Sequence, residues 1–244
     1  MDLGLNGRVA IVAAASKGLG KAVALGLSRE GAKVAICARS AQELQAAADE
    51  IPGPVLARVA DVRNESDVRA LVDETVERFG QVDICVANAG GPPAKRFDET
   101  TAEDWQAAVE LNFTSTLHFA RAVLPGMKER RWGRFLAITS AAVKQPVDRL
   151  ILSNSVRNAL SGLVKSLSNE YAPYNVLVNS VCPGYIATDR LKALGVRPEG
   201  QIPLGRVGTP EEFANVVVFL ASERASYVTG VALAIDGGLI KGVY

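Results

Sequence analysis

The stretch Ala13-Ala14-Ala15-Ser16-Lys17-Gly18-Leu19-Gly20 decides the fold of this chain. The apolar run 9–12 precedes it and predicts a buried strand, and residues 21–27 after it predict a helix. Small residues between a strand and a helix let the backbone approach a ligand, and the helix N-terminus supplies free N–H groups. Two glycines alone are typical of any tight turn. In this setting, residues Ser16 to Gly20 predict a cradle for the phosphates of a nucleotide.

The composition excludes several classes of function. The 244 residues carry 27 basic and 26 acidic side chains, a net charge of +1, which disfavours a nucleic-acid-binding surface. No apolar run is long enough to cross a membrane, and the N-terminus lacks the layout of a signal peptide. Cys37, Cys85 and Cys182 each lie in a strand-like run, which is typical of buried thiols in a reducing compartment. We therefore expect a cytoplasmic protein without disulfides, and we predict no metal site.

Strand and helix patterns alternate along the whole chain. Apolar runs predict strands at 9–12, 34–37, 55–59, 82–86, 134–138, 176–178 and 231–235. Helical spacing and end signals predict helices at 21–27, 41–50, 68–79, 102–129 and 152–167, and from 210 onward. The strands are continuously apolar, which predicts burial on both faces of a parallel sheet. The chain therefore predicts one α/β domain over residues 1–244, a Rossmann-type doubly wound sheet of about seven mostly parallel strands with helices on both faces.

Two helix starts have the spacing of a capping box, in which a hydroxyl and an acidic side chain three residues later each bond to the other's backbone. Thr100 with Glu103 predicts the start of the long helical region. Thr209 with Glu212 predicts the start of the last helix, where a proline occupies the first helical position.

The end of the second strand predicts which nucleotide is bound. In doubly wound folds ligands lie at the carboxyl ends of the strands, and an NAD-selective site usually has an acidic residue here. Ala38 occupies that position, and Arg39 follows it. Arg39, with help from Lys17, would pair with a 2′-phosphate, so we predict NADP(H) in preference to NAD(H). The alternative is that both are solvated cations of a surface loop.

Short motifs follow the other strand ends. They are Asp61-Val62, Asn88-Ala89-Gly90, Pro183-Gly184-x-Ile186-x-Thr188 and Asp236-Gly237-Gly238. Gly18 and Gly20 also match the last two glycines of a T-G-x-x-x-G-x-G turn. Through these motifs, which span nearly the full length, the chain resembles the short-chain dehydrogenase/reductase family. The resemblance is closest to its 3-oxoacyl-(acyl-carrier-protein) reductase-like branch.

The resemblance implies a role for each motif. Asp61-Val62 would contact the adenine, Asn88-Ala89-Gly90 would stabilise the central sheet and lie along the cofactor ribose, and residues 183–188 would line the nicotinamide. Ala13 and Ala14 stand where the family has Thr and its first Gly, which adds a methyl group beside the phosphates. The family also implies a homotetramer.

The family's catalytic residues are Asn, Ser, Tyr and Lys, and the match to this set is partial. Asn112 matches the helix Asn, and Ser140 matches the Ser that hydrogen-bonds the substrate carbonyl. In the Y-x-x-x-K signature, Ser153 stands in place of the Tyr and Arg157 in place of the Lys. A Ser hydroxyl is shorter and a much weaker acid than a phenol, whereas Arg157 would keep a positive charge near the ribose. We therefore expect an atypical active site in which the proton does not come from Ser153.

Other residues are candidates for the proton donor. Lys144 lies four residues past Ser140, and a solvated loop lysine is an equal alternative for it. Tyr185 is more typical of a pocket wall than of an acid, and His118 is more typical of an ordinary helix residue. The candidate catalytic set is Ser140, Asn112, Arg157, Lys144 and Ser153.

Two functions remain open from the sequence. The first is an NADP(H)-dependent oxidoreductase for a carbonyl/alcohol pair, with a 3-oxoacyl-like compound as one candidate, whose proton donor is relocated or is the solvent. The second is a nucleotide-binding protein without redox chemistry, a sensor or assembly partner on the same fold. We expect the enzyme because the cofactor motifs, Asn112 and Ser140 are kept. Residues 191–204 lack clear periodicity and predict a small lid, around residues 185–208, over a small-molecule substrate.

Overall fold

The computed structural model describes residues 2–243 and has a parallel sheet at its centre. Its strands are β1 Val9–Val12, β2 Lys33–Ala38, β3 Val55–Val59, β4 Ile84–Ala87, β5 Gly133–Ile138, β6 Val176–Pro183 and β7 Ala232–Ile235. They pair in the order β3-β2-β1-β4-β5-β6-β7, and every pairing is parallel. The predicted doubly wound sheet is therefore confirmed, and the order of the strands reverses between β1 and β4.

Helices cover both faces of the sheet. They are α1 Gly18–Arg29, α2 Ala41–Asp49, α3 Glu65–Phe79, α4 Ala102–Val109, α5 Ser115–Arg130, α6 Ile151–Tyr171, α7 Asp189–Leu194 and α8 Pro210–Ala221. One core lies between the sheet and α1, α2 and α8, and a second lies between the sheet and α3, α5 and α6. Ala10 and Val12 of β1 point into the first core, whereas Ile11 points into the second. This two-sided burial explains why the strand is continuously apolar.

The long helix predicted over 102–129 is divided in the structure. α4 is followed by a π-helical turn, Glu110–Thr114, before α5 begins. Asn112 lies within this turn and is buried. Such π-helical turns are frequent at functional sites. Hydrophobic spacing does not reveal the turn, because both sides of it remain helical.

That helical region starts at Ala102 as predicted, but the predicted capping box was wrong by one residue. The N-cap of α4 is Thr101, which forms the capping box with Asp104, rather than Thr100 with Glu103. The Thr100 hydroxyl has other partners, because it donates to the Phe97 carbonyl at 2.7 Å and accepts the indole N–H of the neighbouring Trp at 3.0 Å. The second predicted box is confirmed at the start of α8.

The sixth strand is longer than its apolar run predicted. The prediction ended at Val178, but β6 continues to Pro183 through Asn179 and Ser180, both of which are fully buried. The Asn179 amide explains the extension, since its nitrogen donates to the Val228 carbonyl and its oxygen accepts the Val231 N–H. A buried polar side chain is tolerated in a central strand when both ends are bonded in this way.

The three cysteines are buried and unpaired, as expected. Burial raises the pKa of the Cys37 thiol to about 11 and also raises that of Cys85. These thiols are therefore protonated and unreactive at neutral pH. Within residues 2–243, no helix combines the length and the apolar content needed to cross a membrane.

Candidate active site

A crevice lies at the centre of the sheet, where the strand order reverses between β1 and β4. Ligands of doubly wound folds bind at this point, outside the carboxyl ends of the strands. The small-residue turn follows β1, and the Asn88-Ala89-Gly90 loop follows β4. The Asn88 side-chain amide donates to the carbonyl oxygens of Ala13 and Ala14, at 3.2 and 3.4 Å. This amide therefore holds the two loops together across the crevice.

The backbone of the turn explains its small residues. A Cβ on Gly20 would collide with the carbonyl oxygen of Ala14, so no larger residue fits there. Gly18 has φ +58° and Ala14 has φ +49°, both in the left-handed region that favours glycine. Lys17 is the N-cap of α1, and its side chain makes no capping bond. The first N–H groups of α1 therefore have no side-chain acceptor and suit an anion.

An acidic side chain from α2 lies against the turn. Glu43 accepts a hydrogen bond from the Ser16 hydroxyl at 3.4 Å and pairs with the Lys17 ammonium at 3.3 Å. The sequence did not lead us to predict Glu43. A signal was present, because Glu43 follows Ser40 at the spacing of a helix cap, and the Ser40 hydroxyl accepts the Glu43 N–H. Lys17, which was predicted to help bind a 2′-phosphate, is thus paired with a carboxylate in this structure.

The Asp61-Val62 motif lies after β3, as predicted, and it has a cationic neighbour. Arg63 donates to both carboxylate oxygens of Asp61, and this bond holds the pKa of Asp61 below its usual value. The charge of Arg39 lowers the same pKa more weakly, so Arg39 faces the same region. Val62 is buried in the second core. The predicted adenine and phosphate contacts therefore lie on one side of the crevice.

The guanidinium of Arg157 is buried at the base of the crevice, with 6% of the residue exposed. Nη1 donates to the carbonyl oxygens of Ile138 and Thr139, both at 2.9 Å. Nη2 donates to those of Ala89 and Gly90, at 3.3 and 3.2 Å. One side chain therefore fastens the carboxyl end of β5 to the loop after β4.

These four bonds limit what else Arg157 can do. They engage the four N–H groups of Nη1 and Nη2, so a ribose hydroxyl would have to displace a backbone carbonyl or use Nε. Among residues 2–243 no ion pair joins Arg157 to a carboxylate. Burial, together with the charge of Arg190, lowers the pKa of Arg157 to about 10. The side chain is therefore still a cation at neutral pH.

Asn112 and Ser153 flank this cation. The Asn112 amide nitrogen donates to the Gly90 carbonyl at 2.8 Å, the same oxygen that Arg157 bonds. The Asn112 amide oxygen is buried and has no hydrogen-bond partner among the described residues. Ser153 lies one turn before Arg157 on α6 and is 6% exposed. The structure therefore brings these three predicted residues together beneath the loop after β4.

Ser140 lies at the end of β5, above this group. Its hydroxyl oxygen accepts the Ala142 N–H at 3.1 Å, so its own proton remains available for donation to a ligand. Lys144 ends the short helical turn that follows, and its backbone N–H donates to the Ala141 carbonyl. The charges of Lys144 and Arg157 both oppose the rise that burial causes in the pKa of Cys182. Lys144 therefore lies on the same side of the sheet edge as the predicted catalytic group.

The Pro183-Gly184 segment leaves the sheet close to β7. A Cβ on Gly184 would lie 2.7 Å from the Asp236 Cα, which explains the glycine. Ile186 pairs with Gly208 as an isolated bridge, and the Ala187 N–H donates to the Gly208 carbonyl at 2.8 Å. The predicted lid, 185–208, is therefore a long loop whose two ends are hydrogen-bonded to each other where it leaves and rejoins the rest of the domain.

The lid contains one helix that its sequence did not reveal. α7 follows Thr188, and its Arg190 donates to the Pro92 carbonyl at 2.6 Å, across the crevice. No sequence signal predicted this contact, because it joins residues 98 apart. Arg190 thus ties the lid to the loop that follows β4. His118, the remaining candidate, is a partly buried residue of α5 whose Nδ1 has no hydrogen-bond partner within residues 2–243.

Comparisons with known proteins agree with this architecture. A family model described as enoyl-(acyl carrier protein) reductase matches residues 13–240. The chain is 35% identical over 247 residues to the 3-oxoacyl-(acyl-carrier-protein) reductase of Aquifex aeolicus, covering 98% of this chain and 100% of that one.

Solved structures show the same similarity. L-sorbose reductase from Gluconobacter frateurii, in complex with NADPH and L-sorbose, is 33% identical with a TM-score of 0.93, covering 100% of both chains. A 7α-hydroxysteroid dehydrogenase in complex with NADH is also 33% identical with a TM-score of 0.93, covering 100% of this chain and 98% of that one. These relatives bind a nicotinamide cofactor but differ in which one.

Proposed function

The chain belongs to the short-chain dehydrogenase/reductase family, and we propose that it is an NADP(H)-dependent oxidoreductase that interconverts a carbonyl compound and an alcohol. The observation that carries this proposal is the hydrogen bonding of the Ser140 hydroxyl. Its hydroxyl oxygen accepts a backbone N–H and its proton has no acceptor among the described residues, so it can donate to a substrate carbonyl oxygen as charge develops there. The nucleotide turn, Asn88 and Gly90 lie on the side of the crevice where the cofactor would bind.

The cofactor is NADP(H) in preference to NAD(H) in this proposal. Arg39 would pair with the 2′-phosphate, and Lys17 would add a second cation once Glu43 releases it. The N–H groups at the start of α1 would hold the pyrophosphate. The NADPH-bound reductase supports this preference, and the NADH-bound dehydrogenase shows that this fold also accepts the other cofactor.

The proton comes from a source other than Ser153 in this proposal. A positioned general acid contributes about 10²–10⁴-fold to the rate. Orientation of the two reactants contributes up to about 7–11 kcal/mol, so hydride transfer survives the loss of the usual donor. Lys144, which follows Ser140 closely, or a water molecule would supply the proton.

The substrate is a carbonyl or alcohol compound, and 3-oxoacyl thioesters, sugar ketones and steroid ketones are the classes that the relatives suggest. NADPH oxidation, followed by absorbance with one compound from each class, tests the proposal directly. Ser140→Ala should lower kcat by about 10²-fold or more, the usual cost of a lost oxyanion donor. Ser166→Ala is the matched control, because that exposed serine of α6 bonds only a carbonyl in its own helix.

Two further variants locate the proton donor. Lys144→Ala should cut kcat by about 10²–10⁴-fold if Lys144 is the acid, whereas Lys165→Ala on the exposed face of α6 should change nothing. Ser153→Tyr combined with Arg157→Lys should raise reduction of a 3-oxoacyl ester, and more than additively, because the two residues act as neighbours. An inactive wild type that binds NADPH, together with an inactive double variant, would favour a nucleotide-binding protein without redox chemistry.

The proposal also includes a homotetramer in the cytoplasm. Phe219 of α8 and Leu233 of β7 are about two-fifths exposed, which supports an interface along the last strand and helix. Phe119 of α5 is buried within its own chain and so is not available to such an interface. Light scattering at micromolar concentration should give four times the chain mass. The unpaired buried thiols support the reducing location.

A further inference from the structure

The side chain of Asn154, near the start of α6, bonds both backbone polar groups of Val147. Its amide nitrogen donates to the Val147 carbonyl at 2.9 Å, and its amide oxygen accepts the Val147 N–H at 3.2 Å. The two bonds are complementary, since an amide turned by half a rotation would set oxygen against oxygen and nitrogen against nitrogen. Asn154 therefore holds Val147 in one position and in one orientation.

Val147 belongs to the Ser140 loop, residues 139–150, which joins β5 to α6 and also carries Lys144. Local bonds hold the first part of this loop. The Lys144 N–H, for example, donates to the carbonyl three residues earlier at 2.9 Å. This pattern stops at Pro146, which has no N–H. The Val147 N–H comes next, and among the described residues its acceptor is the Asn154 side chain.

α6 supplies an anchor at each end of the loop segment 140–146. At the amino end, the Arg157 guanidinium bonds the last two carbonyl oxygens before Ser140, both at 2.9 Å. At the carboxyl end, Asn154 bonds Val147. Asn154 and Arg157 are three residues apart, a spacing that makes side chains neighbours on one helix face. One face of α6 therefore fixes the loop on both sides of this segment.

The positions of the candidate catalytic groups depend on this segment. The Ser140 hydroxyl accepts the Ala142 N–H, so its direction follows the backbone of the loop. The charge of Lys144 opposes the effect of burial on the pKa of Cys182, at the end of β6, so Lys144 lies at the same sheet edge. A displacement of about 1 Å at reacting groups can lower a rate about 100-fold. Release of the loop at Val147 would therefore slow the chemistry even where the fold is kept.

We infer that Asn154 is a positioning residue for the reduction of the carbonyl substrate, an inference that rests on the proposed oxidoreductase function. In that reduction the carbonyl carbon gains a hydride from NADPH and the carbonyl oxygen gains a proton, which gives a secondary alcohol and NADP⁺. Asn154 takes part in neither transfer. Its two bonds to Val147 hold the Ser140 loop, so that the Ser140 hydroxyl stays directed at the carbonyl oxygen and Lys144 stays close to it.

Asn154→Leu tests the inference, because Leu has a similar size but neither donates nor accepts a hydrogen bond. NADPH oxidation is measured with L-sorbose, the N-acetylcysteamine thioester of acetoacetate and 7-oxo glycochenodeoxycholic acid, and the compound that the wild type reduces fastest serves for the variants. We expect kcat to fall about 10–100-fold, while NADPH affinity in fluorescence titration stays unchanged. Asn158→Leu is the matched control and should change neither. Asn158 is exposed one turn further along α6, and its side chain makes no hydrogen bond among the described residues.

Two further variants separate positioning from stability. Asn154→Gln keeps both amide groups on a longer side chain and should recover part of the loss in kcat. Asn154→Asp keeps the acceptor and removes the donor, so it should lie between Gln and Leu, and it replaces the Leu variant if that one does not fold. Urea unfolding gives the folded fraction of each variant, and single-turnover hydride transfer is compared on the folded protein alone. Amide exchange at residues 143–145 should become about 10-fold faster in Asn154→Leu, as local opening of the loop requires.

A double-mutant cycle identifies the group through which Asn154 acts. Ser140→Ala should lower kcat less in the Asn154→Leu background than in the wild type, because a displaced hydroxyl contributes less to the rate. Additive effects of the two substitutions would reject the inference.

Other results would also overturn it. An Asn154→Leu variant with the wild-type kcat, or an equal fall in kcat for Asn158→Leu, would reject the positioning role and leave the oxidoreductase intact. A fall in activity that only matched the unfolded fraction would reject it in the same way. A wild-type protein that oxidises NADPH with none of the three compounds would instead lose the proposed function and the inference together.

Discussion

Arg157→Met tests whether the guanidinium stabilises the crevice or holds the cofactor. In the structure its two Nη atoms donate to four carbonyl oxygens, those of Ile138, Thr139, Ala89 and Gly90. Met fills a similar volume but donates nothing. The Gly90 carbonyl keeps a second donor, the Asn112 amide. We therefore expect the main effect of the substitution to be on the free energy of unfolding.

The magnitude follows from two opposing effects. Hydrogen bonds from a charged donor contribute about 1.5–3 kcal/mol each, which gives about 6 kcal/mol for four at the low end. Burial lowers the pKa of Arg157 from 12.5 to about 10. At about 1.4 kcal/mol per unit, this shift corresponds to a cost of roughly 3 kcal/mol for the buried charge. Met should therefore destabilise the fold by about 3 kcal/mol, and Lys, with three donors on one nitrogen, by about half of that.

Urea unfolding of the unliganded protein measures this loss, and fluorescence titration measures NADPH affinity on the same samples. Arg190→Met is the control, because Arg190 is exposed and, among the described residues, its one side-chain hydrogen bond is to the Pro92 carbonyl, so its loss should cost about 1 kcal/mol. Arg157→Lys should lower stability without weakening NADPH binding. A Met variant with the wild-type unfolding midpoint but a much weaker NADPH affinity would refute the reasoning and identify Arg157 as a ribose contact.

Three further predictions concern the nucleotide side of the crevice. Glu43→Gln should strengthen NADPH binding about 5-fold, because removing one negative charge about 4 Å from a phosphate is worth about 1 kcal/mol in water. The control, Glu50→Gln at the far end of α2, should leave NADPH binding unchanged. Equal effects of the two substitutions in fluorescence titration would contradict the prediction. Ala14→Gly relieves a left-handed backbone conformation that costs a non-glycine residue about 1–2 kcal/mol. Urea unfolding should therefore show equal or greater stability, and NADPH should bind more tightly. A less stable variant would argue against backbone strain at this residue. The pKa of Asp61 is lowered by Arg63, so this pair stabilises the fold above the ordinary pKa of 3.8 and ceases to do so as the pH falls through the lowered folded-state value. Arg63→Gln should therefore cost stability at pH 7, and the difference from wild type should shrink towards pH 2 in urea titrations; a difference independent of pH would contradict the pairing.

The fold could be predicted from the sequence because its determinants are local. A strand buried on both faces must be continuously apolar, and β1 shows this in four consecutive residues. The prediction failed where a tertiary contact replaced a local one. β6 extends past its apolar run because Asn179 bonds Val228 and Val231. Thr101 rather than Thr100 caps α4, because the Thr100 hydroxyl is bonded to other groups.

The site was predictable in its backbone and less so in its side-chain pairings. Gly20 and Gly184 are needed where the chain approaches itself closely, and such needs leave a motif in the sequence. The partners of the charged side chains are harder to predict from the sequence. Glu43 reaches Lys17 across a gap of 26 residues and Arg190 reaches Pro92 across 98, and both contacts depend on how α2 and α7 pack.

The role of α6 changes with its two substituted residues. By its resemblance, this helix would supply both the proton donor and the cation that activates it. Here Ser153 and Arg157 are buried, and Arg157 is bonded to the backbone of the loops that form the crevice. A small cavity after Ser140 is lined instead by residues of the Ser140 loop, the lid and the C-terminal segment. In the proposed enzyme the residues that would hold the cofactor and the carbonyl do not include Ser153, so the proton would come from the Ser140 loop or from the solvent beside it.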